Sequence, residues 1–420
     1  MVVIQRMIQH LRARVRLPPS ATSHFIPRSS RNSVETPRSR RVSVTRAAGV
    51  VAVMGLLYDQ ATLMEPRPLT LDRKTTRLVP VQMRKRTSKA DSPLLVSASA
   101  VRGDRPTMED ALFIAPNRRF TAVFDGHGGA DVSSYLKANL YDHILANLGP
   151  AKDTWNLDEI ETSLRDAFRT VDAVILERRE WIAQGSTATA VLLMDDLIWS
   201  MNVGDSRAVL CRNGRAVNLT RDHKPNDPME RSRVEKAGGR VQWHGLRDPH
   251  GRPIVDMGAY RINSNLAVAR AFGDGDQRPY VSGEMELKCF RRDPSDKFIV
   301  VASDGLWDVF TSAEVSISRA RRKYSGHDGH DRVSGKVVMF VRDVLAGEVG
   351  SRESWRSGSH AETSVELFEW RQMYKNDSDM IQAALATRKE QMAKYLTQEA
   401  LFRGTADNVA VVVIWLDKVK

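Results

Sequence analysis

Up to about residue 90 apolar residues are scattered, apart from Ile4, Ile8, Leu11 and Val15, which share one helical face, and from Leu94 onward they fall into runs and periods. Leu94 to Ala100 reads as a strand, and Ala122-Val123-Phe124 as a buried strand that stops on Asp125. Helical spacing follows twice. Val132, Tyr135, Leu136, Leu140, Ile144, Leu145 and Leu148 mark a helix over 130–148, and Ile160, Leu164, Phe168, Val171 and Ile175 share one face of a helix over 157–181. Thr187 to Met194 and Ile198 to Val203 are strands, and Arg207 to Arg212 and Arg215 to Leu219 flank Asn213-Gly214, a strong hairpin signal. A short helix over 228–237 ends at Gly238-Gly239, where glycine suits a C-terminal cap. The stretch 240–264 is polar without a period and is expected to be irregular. Phe298 to Ser303, apolar up to its final serine, and Val409 to Leu416, apolar throughout, are strands whose two faces must both be covered.

Composition narrows this little: 420 residues, 42% hydrophobic and 27% charged, are ordinary for a globular chain with an ample core. No run approaches the roughly 18 to 20 apolar residues of a membrane helix, so no membrane span is expected. Two cysteines, Cys211 and Cys289, exclude a disulfide framework and point to a reducing compartment. The net charge of +12 changes meaning once it is located. Residues 1–50 hold ten Arg, no Lys and the single acid Glu35, and residues 51–90 hold eight basic against three acidic residues, so residues 91–420 are slightly acidic. The basicity belongs to a leader, and a nucleic-acid partner is not expected. That leader (residues 1–50) has the Arg- and Ser-rich, acid-poor composition of a mitochondrial or plastid transit peptide; a solvated basic tail, with the protein in cytoplasm or nucleus, is the other reading. Residues 51–90 read as an irregular linker.

Chemistry concentrates where strands end or begin. Asp125, Asp205, Asp304 and Asp407 all stand at such boundaries, three of them followed by Gly or Asn. One aspartate there is usually a turn former. Four brought to one edge would make an acidic pocket that needs cations.

The motifs that carry these residues resemble the metal-dependent, type 2C serine/threonine protein phosphatases. They are Arg105-Pro-Thr-Met-Glu109-Asp110, Phe124-Asp125-Gly126-His127-Gly128-Gly129, Gly185-Ser-Thr-Ala188, Asn202-Val-Gly-Asp205-Ser-Arg207 and Arg221-Asp-His-Lys-Pro225, followed by Leu266 to Asp274, Ala302-Ser-Asp304-Gly-Leu-Trp-Asp308 and Gly404-Thr-Ala-Asp407-Asn408. They run in the family's order over residues 91–420, which the resemblance makes the catalytic domain. It implies an α+β fold: a central sandwich of two antiparallel β-sheets flanked by α-helices on both outer faces, four layers in the order αββα.

It also implies a site. Asp125 bridges two Mg²⁺ or Mn²⁺ ions, the Gly126 carbonyl joins one of them, Asp304 and Asp407 hold the other, Glu109 reaches the first partly through water, and Asp110 supports the cluster. Asp205, with Asp304, would hold a weaker third ion; a plain turn aspartate is the other reading. Arg105 would grip the substrate phosphate with paired hydrogen bonds, a surface pair with Asp104 or Glu109 being the alternative. His127 would protonate the departing oxygen, the alternative being a histidine that only hydrogen-bonds a carboxylate. Ser186, Thr187 and Ala188 read as packing, and Gly273-Asp274 as a structural loop near the metals. The segment from His223 to about Asn265 would be a flap beside the cleft, with Trp243 and His244 as candidate contacts.

The function implied is hydrolysis of phosphoserine and phosphothreonine in proteins by direct attack of a metal-bridging hydroxide, in a monomer. Two other readings stand beside it: a catalytically weak regulatory or scaffold protein on the same fold, whose mark would be loss of a metal carboxylate, and a hydrolase of small phosphoesters. Asp304 and Asp407 lie 103 positions apart, further than the resemblance implies, and the excess is placed at about 323–387. Within it a helix is expected over 333–345 and an unstructured stretch over 351–363, before a last helix over 377–402. Ser264 and Ala269 stand where the resemblance leads one to expect Gly and Ser.

Overall fold

Strands that are apolar on both faces need cover on both sides, and the chain supplies it with a second sheet and with helices. The computed structural model describes residues 81–82, 94–150, 154–312, 328–346 and 377–416. Strands β1 (Val96–Val101), β2 (Ala111–Ile114) and β3 (Phe120–Phe124) precede helices α1 (Asp131–Leu148) and α2 (Leu157–Leu176). There follow β4 (Ala188–Met194), β5 (Leu197–Val203), β6 (Arg207–Arg212), β7 (Arg215–Asn218) and α3 (Pro228–Lys236). After them come β8 (Val241–Arg247), β9 (Pro253–Ile262), β10 (Glu286–Arg291), β11 (Asp296–Ala302), α4 (Asp304–Trp307), α5 (Asp328–Ala346), α6 (Ser378–Phe402) and β12 (Val409–Trp415).

Two five-stranded antiparallel sheets result, in the orders β7-β6-β11-β12-β1 and β10-β5-β4-β3-β2. Residue parity assigns each strand's two faces. In β12, Ala410, Val412 and Ile414 meet Val123, Val191 and Leu193 between the sheets. Val409, Val411, Val413 and Trp415 point the other way, into a core with Val337, Val341 and Val344 of α5 and Met392 and Leu396 of α6. On the far side, Phe120, Phe124 and Trp199 pack with Leu136 and Leu140 of α1 and Leu164 and Phe168 of α2. The expected four-layer α+β sandwich is what forms. No described helix is long and apolar enough to cross a membrane.

Local signals acted as their chemistry dictates. Asn156, Asp227 and Asp377 cap α2, α3 and α6, each side chain accepting from backbone N–H groups of the first turn. Asn213 and Gly214 both take positive φ (49° and 74°) in the β6–β7 turn, a pairing that suits the twist of a two-residue hairpin. The helix over 157–181 instead ends at Leu176, and a separate 3₁₀ turn spans Arg179–Trp181.

The stretch 240–264, expected to be irregular, is a β-hairpin. Val241 to Gly245 of β8 pair with Ile262 to Gly258 of β9, and the Trp243 and Tyr260 rings meet edge-on at 5.2 Å. Its sequence hid it because most of β8 is exposed, so no core imposes an apolar alternation. The expected insertion helix forms as α5, and the expected unstructured stretch 351–363 lies outside the described residues, as does the leader. Within the expected linker, Val81–Gln82 pairs with Thr154–Trp155.

Helix α5 is keyed into the sandwich by a buried pair. Arg207 Nε and Nη2 donate to Asp222 at 2.9 and 2.7 Å, its Nη1 donates to Ser334 Oγ of α5 at 3.3 Å, and its guanidinium carbon lies 5.2 Å from the Trp307 ring centre.

Ile299 has no exposed surface in the inter-sheet core. Ile299→Ala should cost about 2–5 kcal/mol in chemical denaturation, against less than about 0.5 kcal/mol for exposed Met257→Ala.

Candidate metal centre

One end of the sandwich opens into a cleft of about 310 Å³, lined by Arg105, Glu109, Asp125, Gly126, His127, Asp205, Asp304 and Asp407, with Thr187, Arg261 and Asn408. Of the metal-binding and catalytic residues expected, only Asp110 is not on that wall; Trp243 and His244, expected as flap contacts, do not line it either, and Trp243 packs against Tyr260 within the hairpin. The buried Asp110 carboxyl lies behind, hydrogen-bonded to Asp125 and accepting from Ser303 Oγ at 2.7 Å.

Asp125 leaves the end of β3, and Thr187 clamps its backbone: the Asp125 N–H donates to Thr187 Oγ1 at 3.1 Å, and the Thr187 N–H donates to the Asp125 carbonyl at 2.8 Å. The packing role expected of Thr187 thus has a definite object. Gly126 must lack a side chain, since a Cβ there would press on the Glu109 carbonyl and Ser133 Oγ. Asp304 opens α4, fixed by Ser303, whose N–H donates to the Ala410 carbonyl and whose Oγ accepts from the Ala410 N–H.

Ligand oxygens of Asp125, Asp205 and Asp304 lie within 4.8 Å of one another. Asp407 and Glu109 line the same cleft outside this group. Both Asp407 oxygens are engaged, one by Arg105 Nη2 at 2.7 Å and one by the Asn408 N–H at 2.8 Å. Arg105 therefore pairs with neither Asp104 nor Glu109. Glu109 Oε1 accepts from Thr107 Oγ1 at 2.7 Å.

Crowding shows in the proton affinities. Burial first, then the charges of Asp110, Asp304 and Asp205, holds Asp125 well above the usual carboxylate range. Burial, then Asp205 and Asp308, does the same to Asp304. Burial lifts Asp110 and Asp205 to about 6, opposed in Asp205 by Lys224. Lys224 Nζ stands 3.3 Å from Asp308 and 3.7 Å from Asp205, and their charges, Asp308 first, raise its pKa against the effect of burial. Asp205 Oδ1 is buried with no hydrogen-bond partner. An orphaned carboxylate oxygen inside an all-oxygen cluster fits a hard divalent cation, Mg²⁺ or Mn²⁺ rather than Zn²⁺.

Across the cleft, His127 Nε2 lies 2.8 Å from both oxygens of Asp274. Burial lowers the affinity of the imidazole for its proton, but the Asp274 hydrogen bond and the charges of Asp274, Asp205 and Glu109 outweigh it and raise the pKa.

Sequence reasoning missed three contributors. Asn408 accepts from the Glu109 N–H at 2.7 Å and donates to the carbonyls of Arg102 and Thr107 at 2.7 and 3.0 Å, pinning the loop that carries Arg105 and Glu109. Its signal was its place next to Asp407 at a strand entrance. Lys224 was read only as the start of the flap, and Asp274 only as a structural loop.

The family model described as Protein phosphatase 2C matches residues 94–346, well over half of the chain. The chain belongs to the protein phosphatase 2C family. "Probable protein phosphatase 2C 45" of Oryza sativa subsp. japonica is 41% identical over 193 residues, 46% of this chain and 62% of that protein. "Probable protein phosphatase 2C 75" of Arabidopsis thaliana is 31% identical over 440 aligned positions, covering 96% of this chain and 92% of that one. The chain thus spans less than two thirds of the rice relative but nearly all of the Arabidopsis one. A solved "sex determining protein" from C. elegans superposes with a TM-score of 0.54 over 78% of this chain and 65% of that chain, at 24% identity, and shows the shared fold. Proteins of the 2C family are metal-dependent, and the acidic cluster is where this chain can meet that need. Asp407 and β12 lie beyond the matched segment, yet β12 pairs between β11 and β1 inside the sheet.

An acid whose pKa is raised by folding favours its neutral form in the folded state, so that contribution to stability is whole below the unfolded value near pH 4. It is lost as the pH rises through about 6, the folded value of Asp110 and Asp205. Chelated protein should therefore lose on the order of 5 °C of Tm between pH 4 and pH 7 relative to its Asp205→Asn variant, with Mn²⁺ or Mg²⁺ removing the difference, as thermal melts would read.

Proposed function

We propose that this member of the protein phosphatase 2C family is a Mg²⁺- or Mn²⁺-dependent hydrolase of phosphoserine and phosphothreonine in proteins. The observation that carries this reading is the convergence of Asp125, Asp205 and Asp304 within 4.8 Å, one of their oxygens orphaned, in a cleft that also presents Arg105 and His127. Phosphate monoester hydrolysis needs acceleration up to the order of 10²¹, and a positioned general acid contributes only about 10²–10⁴. When bound, a pair of divalent cations supplies the remaining chemistry, making water a nucleophile at neutral pH and offsetting the charge of the phosphoryl oxygens.

The chain's own residues have separable tasks. Asp125, the Gly126 carbonyl, Asp304 and Asp407 would hold the two cations, Glu109 would serve as a further donor, and Asp110 supports Asp125 from behind. Asp205, which lines the cleft and has one buried carboxylate oxygen without a hydrogen-bond partner, would be the donor for a third ion. Arg105 is more than half exposed at the cleft mouth, where its planar guanidinium can take two phosphate oxygens once it shares or leaves Asp407. His127 gives a proton to the serine or threonine oxygen as the P–O bond breaks. The flap hairpin adds Arg261 to the wall, a second cation within reach of an anionic substrate.

Purified protein should release phosphate from a phosphothreonine peptide with Mn²⁺ or Mg²⁺ and stop in chelator. Asp304→Asn should lower kcat by about 100-fold or more while the fold persists by circular dichroism. Turnover that survives thorough chelation would reject the metal-assisted mechanism. Hydrolysis of small esters but no phosphopeptide would favour a small-phosphoester hydrolase, and no turnover on either a scaffold.

A further inference from the structure

The contact between His127 and Asp274 is made at unusual local expense. Asp274 takes left-handed backbone geometry (φ 48°, ψ 49°), a region that residues other than glycine seldom occupy, Asn and Asp most readily among them. Its N–H donates to the Gln184 carbonyl at 2.9 Å, and its own carbonyl accepts from the Gln277 N–H at 2.9 Å, so the turn is held from both sides. The carboxylate is 2% exposed. Opposite it stands Gly185, where a Cβ would overlap both the Asp274 carboxylate and the His127 ring.

A three-stranded ribbon brings the parts together: Gly126–His127 pairs with Gly185–Ser186, which pairs with Phe272–Gly273 immediately before Asp274. The histidine, the glycine that makes room and the carboxylate are therefore in fixed register across 147 positions of sequence. A buried carboxylate, a left-handed aspartate and an obligatory glycine each cost free energy. All three are spent on one hydrogen bond, and packing alone offers no reason for it.

We propose that Asp274 is a positioning residue for the general acid: it accepts the Nε2 proton of His127 and so leaves Nδ1 as the edge that serves the substrate. This rests on the reading of His127 as proton donor. A carboxylate can only accept, so it selects the Nε2–H form and fixes the ring plane. In the step it supports, a water oxygen bonds to phosphorus and the P–O bond to the serine or threonine oxygen breaks with its electron pair going to that oxygen. The Nδ1 proton moves there as well, giving a free hydroxyl and inorganic phosphate. The imidazole remains neutral with Nε2–H on Asp274, and the proton released by the attacking water restores it.

Leaving-group dependence separates positioning from mere structural support. p-Nitrophenolate departs as a stable anion and needs no proton, whereas a threonine alkoxide does. The measurement is the ratio of kcat on a phosphothreonine peptide to kcat on p-nitrophenyl phosphate, for wild type, Asp274→Asn, Asp274→Gly and His127→Gln. Asn and Gly both accept left-handed geometry, and Gly removes the side chain without backbone strain. Titration with Mn²⁺ verifies that each variant keeps its metal site. The ratio should fall by about 10- to 100-fold in the Asp274 variants and by about 10²–10⁴ in His127→Gln. A ratio unchanged in the Asp274 variants while His127→Gln lowers it would overturn the positioning role alone. A ratio unchanged in His127→Gln would overturn the proton-donor reading and the inference with it.

Discussion

Three carboxylates within 4.8 Å of one another cannot all carry charge out of water unless a cation joins them. The rest of the molecule can be read as the apparatus that holds them there regardless. Each has its backbone fixed: Asp125 by Thr187, Asp304 by Ser303 and the Ala410 strand residue, and Asp205 by the turn between β5 and β6. A rigid sandwich is suited to this, because its interior cannot relax to spread the charges apart. Among the described residues, Lys224 is the side-chain cation that pairs with a member of the group, standing 3.7 Å from Asp205 and 3.3 Å from neighbouring Asp308.

The sandwich was legible in the sequence wherever burial is two-sided. Val409 to Trp415 is apolar at every position because parity sends alternate residues into two different cores, and helices α1 and α2 announced themselves by one covered face. Where one side meets solvent the signal faded. β8 and β9 carry polar, exposed residues and were not seen, and the short Ala111–Ile114 and the half-covered Glu286–Arg291 were passed over.

The site was legible as a set of residue types and much less as a geometry. Asp125, Asp205 and Asp304 could be picked out by their places at strand boundaries, but not that Asp205 would sit in the tight group and Asp407 outside it with Arg105. Which strand end approaches which depends on register and on crossovers that local pattern does not carry. The same limit hid Asn408, Lys224 and Asp274. Each acts through a partner 84 to 306 positions away, so its neighbourhood does not show what it will touch.

Asn408 has a consequence for the order in which the protein comes into being. Its side chain closes three hydrogen bonds on the loop at 102–109, so the Arg105 and Glu109 wall of the cleft is tied down by a residue 299 to 306 positions further along the chain. During synthesis, helices α1 and α2 and the whole β10-β5-β4-β3-β2 sheet can emerge and collapse while that loop, held at Glu109 by Ser133 of α1, still lacks its three bonds to Asn408. The site is completed only when β12 slots between β11 and β1. A nascent chain halted anywhere before that strand would carry most of the acidic residues of the cleft without the strand that completes it.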